Sequence, residues 1–135
     1  WLAAAIGYAG LAGVDEAVVA VGPGPAADWV ARELGGLAGC AIHAVRTDGP
    51  PPPPVFAYAT ARPGQAKPDL WLVNLTDDAQ AVAVAEIEAG QVTLNRLNTA
   101  TLAATVQPET QTVPAGGTMT VRLLPYEVCR MAVAQ

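Results

Sequence analysis

The side chains that could do chemistry are few, and each has to be weighed against a plainer role. Paired carboxylates, the usual equipment for acid–base work on a sugar or ester, occur at Asp15-Glu16, Asp77-Asp78 and Glu86/Glu88. Asp15 and Glu16 precede a short apolar run, which in a (β/α) barrel is the end that serves stability rather than catalysis. Asp77 and Asp78 fall where the chain turns and read as solvated. Glu86 and Glu88 alternate on what reads as an exposed strand face. His43 is the only histidine, and the sequence contains no serine, so a Ser-His-Asp triad cannot be assembled from it. His43 reads as a partly buried strand residue rather than a metal ligand. Cys40 and Cys129 lack metal-ligand spacing and read as two buried thiols. A disulfide would need an oxidising compartment that nothing else in the sequence indicates.

The loop Gly22-Pro-Gly-Pro-Ala-Ala27, with Asp48 further on, fits the outline of a dinucleotide-binding turn. Phosphate binding there needs free backbone N–H groups at the helix start, and Pro23 and Pro25 remove two of them. The loop reads as a tight turn closing an α/β unit, and no cofactor is assigned. Trp29 and Trp71 could stack on a sugar, but aromatics in apolar runs are mostly core. Asn74-Leu-Thr76 matches a glycosylation sequon. It lies inside the most apolar run of the chain, so the match reads as accidental. No catalytic, cofactor-binding or metal-binding residue is assigned.

Two kinds of pattern must position these residues. Residues 1–12 favour a helix through Ala and Leu, weakened by Gly7 and Gly10, with Gly13 suited to its C-cap. Residues 17–21 read as a short buried strand. A second helix is expected over residues 28–37, begun near Pro25, with Trp29, Val30, Leu34 and Leu37 on one side. Residues 40–45 form another strand. Helix, buried strand and helix in succession are the grammar of an α/β unit. The run of five prolines from Pro50 to Pro54 is a stiff connector.

From Val55 onward the pattern changes to short strands. Residues 55–61 place Phe56 and Tyr58 on one face. Residues 70–75, apolar but for Asn74, read as a strand covered on both faces. Residues 80–87 follow with Val82 and Val84 on one face, then a hairpin signal at Glu88-Ala-Gly90. Residues 91–97 turn Val92 and Leu94 inward. Residues 98–117 read as a loop with one short strand near Thr112-Val113. Residues 118–124 point Met119, Val121 and Leu123 inward, and residues 126–133 put Cys129, Met131 and Val133 on one face. The expected fold is α+β: a helix-strand-helix piece of a (β/α) barrel over residues 1–46, a Pro-rich connector at 47–54, and an antiparallel β-sandwich over 55–135.

Composition bounds the partners. The 135 residues are 52% hydrophobic and only 14% charged, against about 25% charged in ordinary globular domains. So little polar material cannot comfortably cover the surface, and a neighbouring region is expected to cover part of it. A net charge of −5 with scattered basic residues argues against nucleic acid. No apolar run approaches the length of a membrane span, and no signal-peptide pattern opens the chain. Residues 1–12 are apolar all round, which an isolated surface helix would not be. The expectation is a C-terminal piece of a larger protein, partnered by that protein's N-terminal region. The compartment is not legible, with the cytoplasm slightly favoured.

Two stretches together resemble a known family. The first is Trp1 through Gly22, with its Ala-rich helix and Ala-Gly-Val-Asp-Glu-Ala-Val-Val. The second is Leu70-Trp-Leu-Val-Asn-Leu-Thr-Asp-Asp-Ala-Gln-Ala-Val, followed much later by Val121-Arg-Leu-Leu-Pro-Tyr-Glu-Val-Cys-Arg-Met131. This order resembles the C-terminal end of D-apionate lactonase-like proteins, and more broadly sugar-acting enzymes with a (β/α)8 barrel followed by a β-sandwich. The resemblance implies a non-catalytic C-terminal part of a carbohydrate-acting hydrolase or lactonase. The sandwich would support the barrel, and the catalytic carboxylates would lie in the N-terminal region. The rim at Val21-Gly-Pro-Gly-Pro25 offers neither carboxylate nor hydroxyl, so no catalytic residue carries over. The alternative is a stand-alone β-sandwich module that binds carbohydrate or protein.

Overall fold

The computed structural model describes residues 2–16, 24–49, 51–87, 90–98, 108–114 and 116–133. The strand expected at residues 17–21, the first two residues of the glycine-proline turn after it, Glu88 and the side chain of Val30 lie outside the described residues. In chain order the elements are α1 (Leu2–Leu11), α2 (Pro25–Gly35), β1 (Ala41–Ala44), β2 (Val55–Ala61), β3 (Asp69–Asn74), β4 (Gln80–Ile87), β5 (Gly90–Leu97), β6 (Glu109–Val113), β7 (Gly117–Leu123) and β8 (Val128–Val133). They form a six-stranded sheet in the order β1-β2-β3-β8-β5-β6 and a two-stranded sheet of β4 and β7. Every pairing is antiparallel. No helix among the described residues is long and apolar enough to cross a membrane.

Because side chains alternate across a strand, the larger sheet sorts its residues onto two faces. Leu72, Val92, Leu94, Cys129 and Met131 face the smaller sheet and meet Val121 and Leu123 there. Phe56, Tyr58, Trp71 and Val73 face the other way and are covered by Ala3, Ala4, Trp29 and Leu34 of the two helices. The run at residues 70–75 is thus covered on both sides, as its composition requires. The alternation read for residues 80–87, 91–97, 118–124 and 126–133 is present with the same residues turned inward.

Three expectations need adjustment. The strand read at residues 40–45 is present as β1, and it is hydrogen bonded antiparallel to β2 at the edge of the larger sheet, with Ile42 opposite Thr60. The short strand near Thr112-Val113 is longer and spans Glu109–Val113, paired with β5. Two residues of the expected hairpin at Glu88-Ala-Gly90 lie outside the described residues, and the strands on either side are not paired with each other: β4 pairs with β7 while β5 pairs with β6 and β8. The register of β4 shifts between Val84 and Ile87, and Glu86 adopts a φ of 59°. Such a bulge bends a strand away from its ladder, which carries the chain across to the other sheet.

Helix α1 sits unusually close to the sheet. Ala3, Ala4 and Gly7 are its buried residues, and Tyr8 stacks on Phe56 with ring centroids 3.9 Å apart. A Cβ on Gly7 would lie 2.6 Å from Cδ1 of Tyr58 and 2.7 Å from Cε1 of Phe56, and one on Gly10 would strike Ile42. These glycines, which weaken the helix by propensity, are what let it reach the aromatic layer. Gly7→Ala is therefore expected to destabilise by about 1–3 kcal/mol through overpacking, despite its better helix propensity. Gly35→Ala, with nothing within 4 Å of the added carbon, is expected to stabilise by about 0.4–1 kcal/mol. Urea denaturation of both variants checks the opposite signs.

Candidate functional site

Two polar clusters interrupt the apolar layers. The first lies where β3 ends and where β7 turns into β8. Asn74 is 1% exposed, and a buried amide must find partners for each of its groups. Its Nδ2 donates to the carbonyls of Asp78 and Leu124, both at 2.8 Å. Its Oδ1 accepts from the Thr76 backbone N–H at 3.0 Å and from Thr76 Oγ1 at 2.8 Å. Its own backbone N–H donates to Glu127 O at 2.9 Å, and the Tyr126 N–H donates to Thr76 O at 3.1 Å.

Glu127 is equally buried. One carboxylate oxygen accepts from the Leu124 N–H at 2.7 Å and the other from Arg96 Nη1 at 2.8 Å. Arg96 also donates to Arg122 O at 2.9 Å and to Glu109 at 3.3 Å. Burial works against the Arg96 charge, but the Glu127 hydrogen bond and the surrounding negative charges hold its pKa above the ordinary guanidinium value. The turn these groups hold is closed by the Glu127 N–H on Leu124 O at 3.1 Å. Its third residue, Tyr126, has a φ of 56°, in the left-handed region that glycine usually fills in such a turn.

The second cluster ties α2 to the larger sheet. Arg130 of β8 donates to Glu33 of α2, and its Nε lies 3.2 Å from Asp69 of β3. That Nε–H is buried and off-line for a hydrogen bond, so the Asp69 contact is one of charge. Asp69 in turn accepts from Gln65 Nε2 at 3.0 Å. Nearby, Trp71 Nε1 donates to Thr60 Oγ1 at 3.0 Å inside the core. The Tyr58 hydroxyl has no hydrogen-bond partner among the described residues, and burial pushes its pKa far up.

The residues singled out from sequence are not brought together. His43 is exposed on β1, and Asp15, Glu16, Asp77, Asp78 and Glu86 are exposed. Asp48 pairs with Arg46 at 3.5 Å in solvent. Gly24 caps α2 and Pro25 opens it. Trp71 is fully buried and Trp29 nearly so, so neither presents a face to a sugar. The sequon asparagine spends both amide hydrogens inside the protein. Cys40 is a half-buried free thiol, and Cys129 is a buried one. Among the described residues no three His, Cys, Asp or Glu side chains are placed to hold a metal ion.

Sequence reasoning missed Glu127, Arg96 and Arg130. The available signal was a charge set between apolar neighbours within a strand pattern, as in Tyr126-Glu-Val-Cys-Arg-Met131. Chemically, both clusters satisfy turns and fasten elements: their carboxylates are committed to guanidinium groups, to backbone N–H or to the Gln65 amide.

Asn74→Ala removes four side-chain hydrogen bonds and takes the acceptor from the Thr76 backbone N–H, and a loss of about 2–3 kcal/mol is expected in urea denaturation. A second expectation concerns pH. Burial pushes the Cys129 thiol up to about 12, whereas an unfolded thiol ionises near about 8.5. Between those values the unfolded state binds fewer protons than the folded state, so stability falls as pH rises. Cys129→Ala is expected to flatten that decline in denaturation series from about pH 8 to about pH 10.

Residues 52–131, more than half of the chain, match a family model described as the C-terminal immunoglobulin-like domain of D-apionate lactonase. The match takes in β2 to β7 and most of β8. A comparison with curated proteins finds no match.

Proposed function

Since the chain belongs to the family of D-apionate lactonase C-terminal immunoglobulin-like domains, we propose that it is the non-catalytic supporting domain of a carbohydrate-acting lactonase. In this reading the catalytic groups reside in an N-terminal barrel, and the sandwich buttresses it. The observation that carries the reading is the outward side of α1 and its following turn. Tyr8, Leu11 and Val14 are 52%, 39% and 50% exposed, in a segment with no charged residue from Leu2 to Val14. Grouped exposed apolar side chains of this kind are suited to covering by another protein surface. The low charge fraction of the chain agrees with a domain that has a neighbour.

The test compares the chain alone with the chain carrying Leu11→Lys and Val14→Lys. The unsubstituted chain is expected to self-associate in sedimentation velocity, and the double variant to be monomeric. Attached to a lactonase barrel, the double variant is expected to lower the melting temperature of the whole while leaving KM unchanged. A monomeric unsubstituted chain that binds oligosaccharide in calorimetry would replace this reading with that of a stand-alone carbohydrate-binding module.

A further inference from the structure

We propose that the Leu124-Pro-Tyr126 turn is a second contact point for the neighbouring region that covers α1, with Tyr126 as its anchor. The inference rests on the supporting-domain reading above and names the side chain by which the neighbour is gripped. The large apolar side chains that stay exposed among the described residues are Tyr8, Leu11, Val14, Leu124 and Tyr126. They fall in two segments only, α1 with its following turn and the turn between β7 and β8. Pro125, between the last two, is exposed as well.

The two segments lie near one end of the larger sheet. Tyr8 stacks on Phe56. Phe56 is paired with Val73, and Val73 with Val128. One residue further along, Val55 is paired with Asn74, whose N–H donates to Glu127 O. Two strand spacings, about 10 Å, separate Phe56 from the strand that the turn leads into. A standard interface buries about 800 Å² on each partner, so one protein surface reaches both segments.

The backbone at Tyr126 gives no reason for a tyrosine. Its φ of 56° is in the left-handed region, which glycine enters freely and a residue with a side chain does not. The side chain is 56% exposed, and among the described residues it neither stacks on another ring nor makes a hydrogen bond. Strain held at an exposed position points to a function for the side chain.

The turn is also rigid before anything binds. Asn74 Nδ2 and the Glu127 N–H both donate to Leu124 O, the Glu127 carboxylate takes the Leu124 N–H, and the Tyr126 N–H donates to Thr76 O. A contact residue held in this way gives up little freedom on docking, and tyrosine is among the residues that most often anchor an interface. The chemistry called for in the partner is an apolar depression the width of one ring. Its rim would meet Leu124 and Pro125, and an acceptor at its floor would take the Tyr126 hydroxyl.

The test places Tyr126→Gly in the chain alone and in the chain joined to the region that precedes it. In the chain alone the melting temperature is not expected to fall, because glycine takes the left-handed backbone without strain. In the joined protein a fall of about 2–4 °C is expected. Hydroxyl-radical labelling of Tyr126 in the unsubstituted protein is expected to drop on joining. An equal fall in both forms, no fall in the joined protein, or unchanged labelling would overturn the proposal. Labelling as low in a self-associated chain alone as in the joined protein would assign the turn to a second copy instead. Leu11→Lys with Val14→Lys separates the two claims. If that pair destabilises the joined protein and Tyr126→Gly does not, the covered helix stands and the turn contact fails. If neither does, the supporting-domain reading itself fails, and the turn contact with it.

Discussion

A buried amide cannot be left half satisfied, and much of this fold follows from the partners that Asn74 must find. Its four hydrogen bonds and its backbone N–H reach the turn after β3, the carbonyl that follows β7 and the residue that precedes β8. Glu127 closes the same corner from the other side, accepting from Leu124 and Arg96. Two stretches about fifty residues apart, Asn74-Leu-Thr76 and Leu124-Pro-Tyr-Glu127, are therefore one structural unit. The unusual backbone of Tyr126 persists because Leu124 and Glu127, the two ends of its turn, are fixed by this network, the circumstance in which such conformations survive.

The larger sheet is the shared wall of two different cores. Toward the smaller sheet it presents aliphatic residues with Cys129 and Met131. Toward the helices it presents rings: Tyr58 lies parallel to Trp71 at 5.8 Å, and Trp29 meets Trp71 edge-on at 6.4 Å. Flat rings allow a helix built of alanine and glycine to come close, while the Arg130–Glu33 pair fastens the second helix at its side. Aromatic packing and a charge clamp thus hold the helices onto the β-sandwich as a further layer.

How much of this was legible follows the range of each signal. Alternation within a strand is local, so the inward residues of β4, β5, β7 and β8 could be read directly. Which strand a turn leads to is not local. Glu88-Ala-Gly90 has hairpin chemistry, yet the bulge at Glu86 sends the chain to the other sheet. Glycine in α1 was legible as a weakness and not as clearance, since Tyr58 and Phe56 are about fifty residues away in sequence. The candidate site shows the same limit. Asp77 and Asp78 were read as solvated and Glu86 as exposed, and all three are exposed, whereas Glu127 and Arg130 were passed over because a charge inside a strand pattern says nothing of its partner.

The strand order carries a consequence for how the chain is made. β8, the last of the described elements, is hydrogen bonded between β3 and β5 in the middle of the larger sheet. Until it arrives, β1-β2-β3 and β5-β6 have no ladder joining them. On the ribosome β1 to β7 must all emerge before the central pairing can close, and long-range pairings of this kind are slow to form. Shortening the chain by a few codons upstream of Val133 would strike the keystone of the sheet rather than trim its margin.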